Sequence, residues 1–449
     1  MGKILVIGSG KSGVAAAELL DKTGKSPVLF DSNDDLLVSD IRSRLDTENE
    51  IEIYTGSVPD SVLRECESAV LSPGVPIDSE FVLSLRKRGI RILGEIELAY
   101  SYERGSLLAV TGTNGKTTTT SLLGKIISDF TDKVFVVGNI GVPYTGSVLA
   151  TSPDSVTVAE ISSFQLETID NFKPRVSAIL NITPDHLNRH HTMDQYIFEK
   201  EKIAKNQSAS DTIVLNHGDK ELRAFGARTK ARVIFFDSAK ELDEGIYLKG
   251  DMICMKENGV ELALMDINDM QIIGLHNVEN AMVAIAMAHA FNVPMDSIIS
   301  SVKEFKAVEH RIEFVRELNG VRYYNDSKGT NVDAAIKGIR AMNRRTCLIG
   351  GGYDKGSDYD EWIEAFDGKV KKLVLIGATA QKIAECALKH GFDKDDIIFC
   401  DSFDDAIHAC VINAKEGEAV LLSPACASWG MFDNYEQRGE LFKEYVNGL

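Results

Sequence analysis

Thr111, Gly112, Thr113, Asn114, Gly115, Lys116, Thr117 and Thr118 form one run, T-G-T-N-G-K-T-T, directly after the apolar residues 107–110. These residue types suit a triphosphate. Glycines let backbone N–H groups converge on phosphate oxygens, a lysine adds a mobile positive charge, and a threonine hydroxyl can ligate Mg²⁺. In the common loop G-x-x-x-x-G-K-[ST] the first glycine falls where this chain has Val110. The nearest upstream glycine is Gly112, so the cradle is shortened while every chemical component is kept.

A second phosphate signature stands at the N-terminus. Gly8, Ser9, Gly10, Lys11, Ser12 and Gly13 follow the apolar run 4–7, and Asp31 closes the next one. Such a turn brings backbone close to a phosphate at a helix N-terminus, with an acid placed for a ribose. Taken alone it leaves a nicotinamide enzyme, another nucleotide and a structural turn all open. A dehydrogenase has no use for an ATP loop, so the second motif turns the first away from NAD.

Other groups cluster behind apolar runs. Glu160 ends S-V-T-V-A-E, where an acid in a phosphate-loop protein can organise Mg²⁺; the alternative is a solvated loop acid. His186, His190 and His191 follow A-I-L-N-I-T and offer a metal ligand. Lys200, in F-E-K-E-K-I-A-K, reads by composition as a solvated lysine. Asn277 and Asn280, spaced i,i+3, share a helix face and suit either a base contact or a cap. Arg311, the run D-S-K-G-T-N from Asp326, G-G-G-Y-D-K ending at Lys355, and S-P-A-C-A-S ending at Ser428 form the rim of a site for a nucleotide or carboxylate.

The elements that must position these groups are short β-branched runs alternating with helical patterns, at 4–8, 107–112, 134–139, 178–183, 347–352, 373–378 and 419–424. They read as buried parallel strands of an α/β protein, with ligands at their carboxyl ends. A chain of 449 residues exceeds one ordinary core, and boundaries are expected near 93/94 and 307/308. The net charge of −18 argues against nucleic acid as a partner. Seven cysteines without C-x-x-C spacing point to a reducing compartment rather than to zinc or disulfides. No signal-peptide pattern and no long apolar run is present, so a cytoplasmic location without membrane insertion is expected.

In order along the whole chain, G-T-N-G-K-T-T, E-I-S-S-F-Q-L-E, D-H-L-N-R-H, H-N-x-x-N, N-D-S-K-G-T-N and S-P-A-C-A-S resemble the Mur ligases, ATP-dependent amide ligases of peptidoglycan synthesis. S-S-F-Q-L-E and S-P-A-C-A-S-W are most similar to the D-glutamate-adding members, and the D-N-P-R of the diaminopimelate- or lysine-adding relative is absent. In that family the shortened phosphate loop is the normal form. The resemblance implies three domains: a Rossmann-like one (1–93) for a UDP-sugar, a central P-loop ATPase-like one with a mostly parallel sheet (94–307), and a Rossmann-like one (308–449) that binds the amino acid and closes on ATP. It implies UDP-N-acetylmuramoyl-L-alanine, D-glutamate, ATP and two Mg²⁺ ions as partners of a monomer.

By the same resemblance, Gly10, Lys11, Ser12, Asp31, Ser32 and Gly74 contact the UDP-muramoyl substrate. Ser32-Asn33 stand where some members have Thr-Arg. Residues 112–118 hold the ATP phosphates, Asn277 and Asn280 approach adenine, and Arg311, Asp326 and Lys328 complete ATP binding. Thr117, Glu160, His186 and a carbamylated Lys200 hold metal. Asn139, Ser162 and His186 lie near the reacting end. Thr330, Lys355, Ser428 and Tyr435 fall at the D-glutamate pocket, where Trp429 departs from an expected aliphatic residue. Lys116 is the only fixed cation of the loop itself. Lys116→Ala should therefore lower phosphate release from ATP by orders of magnitude while circular dichroism stays unchanged; near-normal turnover by a folded variant would remove its role.

Overall fold

The computed structural model describes residues 2–47, 49–306 and 309–449. The boundary expected at 307/308 lies outside the described residues. Each of the seven apolar runs contributes to a strand, though only residues 178 and 179 of the run 178–183 do so, because β-branched residues flanked by turn formers suit a buried extended backbone.

The first sheet holds β1 (Lys3–Ile7), β2 (Ser26–Asp31), β3 (Glu52–Thr55), β4 (Cys66–Leu71) and β5 (Arg91–Gly94), all parallel, in the order β3-β2-β1-β4-β5. The chain winds one way from β1 to β3 and the other way from β4. The crevice at the carboxyl ends of β1 and β4 is thus a topological switch point.

The second sheet has nine strands: β6 (Ser106–Thr111), β7 (Val134–Gly138), β8 (Val156–Glu160), β9 (Val176–Ile179), β10 (Thr212–Asn216), β11 (Arg232–Asp237), β12 (Gly245–Lys249), β13 (Met252–Glu257) and β14 (Val260–Asp266). Their order is β14-β13-β12-β11-β10-β9-β6-β8-β7. Pairing is parallel except at the β12–β14 meander. Here a strand–helix alternation gives way to hairpins. Asn258 and Gly259, at φ 53° and 76°, make the two-residue turn between β13 and β14. Asn-Gly tolerates positive φ at both positions, which matches the twist of paired strands.

The third sheet holds β15 (Glu313–Leu318), β16 (Val321–Asn325), β17 (Thr346–Gly351), β18 (Val370–Ile376), β19 (Ile397–Phe399) and β20 (Ala419–Leu422), in the order β15-β16-β20-β17-β18-β19. Only β15 is antiparallel, turned by a second Asn-Gly pair at Asn319 and Gly320.

The chain divides into two compact units. One comprises the residues up to Asp266 and Glu279–Val302, the other Ile267–Val278 and Lys303–Leu449. The first unit contains the first two sheets over one continuous apolar core, in which Leu19 and Leu20 join Ile96, Tyr144 and Val148. The expected division at 93/94 falls inside this unit. Buried Glu95 accepts hydrogen bonds from the Thr145 N–H (2.7 Å) and hydroxyl (2.8 Å). The second unit packs its sheet between two apolar layers, one around Trp362 and Leu348, the other around Phe442 and Ile407.

One close approach fixes the N-terminal turn. A Cβ on Gly13 would sit 1.7 Å from the Gly8 carbonyl oxygen, so the helix Lys11–Lys22 can meet β1 only with glycine there. Gly13→Ala is expected to cost about 2 kcal/mol or more, the scale of overpacking against backbone. Urea midpoints of the two proteins check this, and equal midpoints would contradict the close contact.

Candidate functional site

The phosphate loop leaves β6 at Thr111 and ends in the helix Lys116–Phe130. Gly115 caps that helix at φ 85°, a left-handed backbone that costs glycine nothing. A side chain there would also strike Asn280 Oδ1 at 2.3 Å. The loop is tied down by neighbours rather than by its own glycines. The Thr113 N–H donates to the Asn181 carbonyl (3.0 Å) and the Asn114 N–H to Asn181 Oδ1 (2.9 Å). Asn181 Nδ2 returns a bond to the Asn114 carbonyl (3.2 Å). The Thr113 hydroxyl lies 3.1 Å from the Tyr196 hydroxyl. Asn181 falls in the run expected as strand 178–183, but β9 stops at Ile179 and releases it to the loop.

Lys116 Nζ folds back to donate to the carbonyls of Gly112 (2.9 Å) and Thr113 (3.0 Å). Lys200 Nζ donates to the same Gly112 oxygen at 2.8 Å. The solvated reading of Lys200 is therefore corrected: it is 1% exposed, on the helix Met193–Glu201, with its ammonium 4.6 Å from the Tyr196 ring centre. Tyr196, Lys200 and Ile203 recur at i, i+4 and i+7, the buried stripe of that helical stretch. Burial, reinforced by the neighbouring Lys116 charge, pushes the Lys200 amine down to about 7. Lys202 instead pairs with Glu199 at 2.6 Å.

Glu160 ends β8, beside β6, and is buried. Its Oε1 accepts from Asn139 Nδ2 at 2.7 Å. Its Oε2 is buried without a hydrogen-bond partner among the described residues. An ionised oxygen without a donor in the interior is costly unless a cation completes it. Ser162 is engaged locally: it caps the helix Ser163–Leu166 in a reciprocal box with Gln165.

The three histidines separate. His186 is exposed, at φ 53°, with its ring 4.9 Å from that of Phe164. His190 is buried, hydrogen-bonded to the Ser163 hydroxyl at 2.9 Å, and burial pushes it down to about 4, so it is a neutral packing residue. His191 faces Asp78 at 3.2 Å. Arg189 lies between them, clamped on Glu167 (2.6 Å) and donating to the Val75 carbonyl (2.9 Å), next to Gly74.

At the first sheet's switch point, exposed Gly10, Lys11, Ser32 and Gly74 gather with partly buried Ser12 around the ends of β1, β2 and β4. The helix Lys11–Lys22 starts without a side-chain cap, leaving first-turn N–H groups for an anion. Asp31 has partners of its own. Its Oδ2 accepts from the Ser9 N–H (2.8 Å) and hydroxyl (2.7 Å), and its Oδ1 from the Asn33 N–H (3.1 Å). Partial burial works against its charge, yet these bonds hold the carboxyl below its ordinary range.

Asn277 and Asn280 have unlike surroundings. Asn280, in the first unit, accepts from the Thr119 hydroxyl (3.2 Å) at the phosphate loop's helix. Asn277, in the second, donates to the Ile273 carbonyl (2.8 Å).

In the second unit Arg311 is exposed and Asp326 is buried. Asp326 accepts from the Ser423 hydroxyl (2.7 Å) and the Ile312 N–H (3.3 Å); its burial pushes it up to about 7. Lys328 Nζ lies 5.2 Å from the Tyr435 ring centre, and the Thr330 N–H donates to the Lys328 carbonyl. Lys355 Nζ lies 4.5 Å from the Trp429 ring centre, and neighbouring Ser428 is buried. Arg438, which the motifs do not include, joins these loops. It is 1% exposed and donates to the Ser327 carbonyl (2.7 Å), the Ser327 hydroxyl (3.0 Å) and the Cys426 carbonyl (3.2 Å). Its register with buried Phe442 and Val446, at i+4 and i+8, is the sequence signal that places it on the buried face of its helix.

Comparison with known proteins covers every part of the site. Residues 2–94 match the Mur ligase MurD-like N-terminal domain, 110–288 the Mur ligase middle domain, and 310–426 the Mur ligase glutamate ligase domain. A UDP-N-acetylmuramoylalanine–D-glutamate ligase of Lachnospira eligens is 54% identical over 99% of this chain and 98% of its own. One of Lachnoclostridium phytofermentans is 52% identical over 100% and 98%. Among solved structures, the UDP-N-acetylmuramate-alanine ligase of Thermotoga maritima shares the fold over the full length of both chains, with TM-score 0.60 and 18% identity.

Asp326 supplies a stability test. Its folded pKa is raised above that of an unfolded aspartate, so the native state holds the proton more tightly and stability falls as pH climbs from about 4 to 7. Asp326→Asn lacks this penalty. Its stability relative to the parent protein should rise between pH 5 and pH 8, read from urea midpoints; a constant difference would mean that Asp326 titrates normally.

Proposed function

The chain belongs to the Mur ligase family, and we propose that within it the chain is the ATP-dependent ligase that joins D-glutamate to UDP-N-acetylmuramoyl-L-alanine in peptidoglycan synthesis, forming ADP and phosphate. The choice of amino acid rests on full-length likeness to relatives named for that reaction. The chemistry rests on one observation: two lysine ammonium groups meet the carbonyl of the phosphate loop's first glycine.

A carboxylate does not react with an amine directly, because oxide is not a usable leaving group. Transfer of the γ-phosphoryl group to the L-alanyl carboxylate gives an acyl phosphate. The D-glutamate amine attacks its carbonyl carbon, and phosphate leaves. The protein positions the reactants and neutralises charge. In our reading the N–H groups of residues 112–118 and Lys116 cradle the phosphates. Gly10, Lys11, Ser12 and Gly74 receive the UDP part, while Asp31 shapes that turn through Ser9. Arg189 holds the Val75 backbone against the segment carrying His186. Lys355, Thr330 and Ser428 offer a cation and two hydroxyls to a dicarboxylate, Tyr435 adds a wall, and Arg311 and Lys328 serve the nucleotide. Asn139 keeps Glu160 oriented toward the reacting end.

Thr117 and Glu160 fit a Mg²⁺ ion, since Glu160 Oε2 is a buried acceptor without a donor among the described residues; His186 and a carbamylated Lys200 would serve a second. Bound Mg²⁺ supplies charge neutralisation on phosphate oxygens. Lys200 suits carbamylation because its amine is pushed down to about 7, so much of it is neutral near pH 7. The neutral nitrogen adds to CO₂, an N–C bond forms, and one proton leaves. The product exchanges a cation beside Lys116 for an anion and keeps one N–H. Three functional domains, a monomer and a cytoplasmic location belong to the same proposal; all seven cysteines are free thiols, which suits a reducing compartment.

Phosphate release from ATP with UDP-N-acetylmuramoyl-L-alanine tests the reading. D-glutamate should support turnover, and L-lysine, meso-diaminopimelate and L-alanine should not; efficient use of a basic amino acid would overturn it. Lys355→Ala should mainly raise KM for D-glutamate. Lys200→Ala should lower kcat at least about 100-fold, with partial rescue by a small carboxylic acid. Added bicarbonate and a rise in pH through 7 should favour the parent enzyme, because both increase carbamate. Lys205→Ala is the control, since its side chain is 45% exposed and its partner Asp170 lies 3.7 Å away and is itself exposed; Lys202 is unsuited because it pairs at 2.6 Å with buried Glu199. Full activity of Lys200→Ala would remove the carbamate from the mechanism.

A further inference from the structure

We propose that Asp360, Cys386 and His390 form a binding site for a soft divalent transition-metal ion, with Zn²⁺ the ion their donors fit best. The site shares no residue with the ligase site. Cys386 and His390 stand i,i+4 at the end of the helix Ala380–Lys389, so their side chains project from one face. Asp360 opens the helix Asp360–Glu364 that packs against it. The Cys386 sulfur, a His390 ring nitrogen and an Asp360 oxygen lie within 4.8 Å of one another. Thiolate, imidazole and carboxylate together are the donor types of a three-residue zinc site with an open fourth position, whereas Mg²⁺ takes oxygen ligands.

The surroundings support a ligand rather than a sealed contact. A cavity of about 460 Å³ opens beside the cluster, lined by Gly356, Ser357, Asp358, Lys382 and Glu385 as well as by Asp360 and Cys386. It offers an approach path and room for a water on the fourth position. Asp360 and Cys386 are half-buried, and the His390 side chain is 21% exposed. His390 Nε2 and Asp360 Oδ1 are 2.6 Å apart, already oriented toward one oxygen. Tetrahedral ligands near 2.0 Å from an ion stand about 3.3 Å apart, so metal entry opens this pair by less than an ångström. Lys389 Nζ contacts the same Asp360 oxygen at 2.6 Å and competes for it. That side chain is 69% exposed and can swing into solvent. Glu364 lies 3.8 Å from His390 Nδ1, the second carboxylate that a ligating imidazole commonly has behind it.

Co²⁺, a coloured substitute for Zn²⁺, tests the site on the full-length protein. One equivalent should bind and give a thiolate-to-cobalt charge-transfer absorption, displaced by one equivalent of Zn²⁺ and untouched by excess Mg²⁺. Cys386→Ser should abolish the band, and His390→Gln should weaken binding about tenfold or more. Cys400→Ser, at the other half-buried cysteine, should leave it unchanged. Lys389→Gln should tighten binding severalfold by removing the competing cation, a gain that no folding defect can imitate. Absence of the band, its survival in Cys386→Ser, or an unchanged affinity in Lys389→Gln would overturn the assignment.

Discussion

Two ammonium groups, those of Lys116 and Lys200, converge on the carbonyl oxygen of Gly112, and the centre of the protein is organised around that contact. Lys116 also donates to the Thr113 carbonyl (3.0 Å), whereas Lys200 is buried, so desolvation and the neighbouring Lys116 charge together push its amine down to about 7. Two nitrogen donors with positive or partly positive character are thereby held at the start of the phosphate loop. The Tyr196 ring, 4.6 Å from the Lys200 nitrogen, adds cation–π attraction to the charged form.

Holding such a loop requires support from outside it. Asn181 from the end of β9, Tyr196 from a helix and Asn280 from another all contact the loop or the helix it opens. The position of the usual first glycine falls on Val110, inside β6, so the loop proper begins only at Gly112. One brace, Asn181, leaves the carboxyl end of a neighbouring parallel strand, and the other two come from helices packed around it. The N-terminal turn is built the same way on a smaller scale: Gly13 permits the close approach, and Asp31 draws in Ser9. A chain of net charge −18 thus still gathers local cations and backbone N–H groups at these two turns.

The second unit braces its loops with buried polar groups. Arg438 ties Ser327 to Cys426, and Asp326 ties Ser423 to the Ile312 backbone. Desolvation works against each charge, raising Asp326 to about 7 and lowering Arg438 to about 10. The hydrogen bonds recover part of that cost and fix the loops carrying Lys328, Thr330 and Ser428. Apolar replacements could be as stable, but they would not hold three irregular loops in one geometry.

What the sequence determined by itself was local. Short apolar runs set the parallel strands, the shortened loop announced a phosphate, and the ordered motifs identified the family, because each of these signals lies within a few neighbouring residues. The Asn-Gly pairs at 258–259 and 319–320, which were not among the expectations from sequence, carry a local turn signal as well, since tolerance of positive φ belongs to the residues themselves. Only the tertiary structure decided which polar side chains are buried. Lys200 looked solvated in F-E-K-E-K-I-A-K, and its shifted amine exists because a distant loop covers it. His190 looked like a ligand equal to His186, and packing made it neutral and inert. Asn181, Arg189 and Arg438 gained their roles by reaching backbone far away in sequence, Arg438 that of Ser327. Burial and partner choice depend on which segments the fold brings together, and desolvation then assigns each group its charge, so the same residue type does different chemistry at different positions.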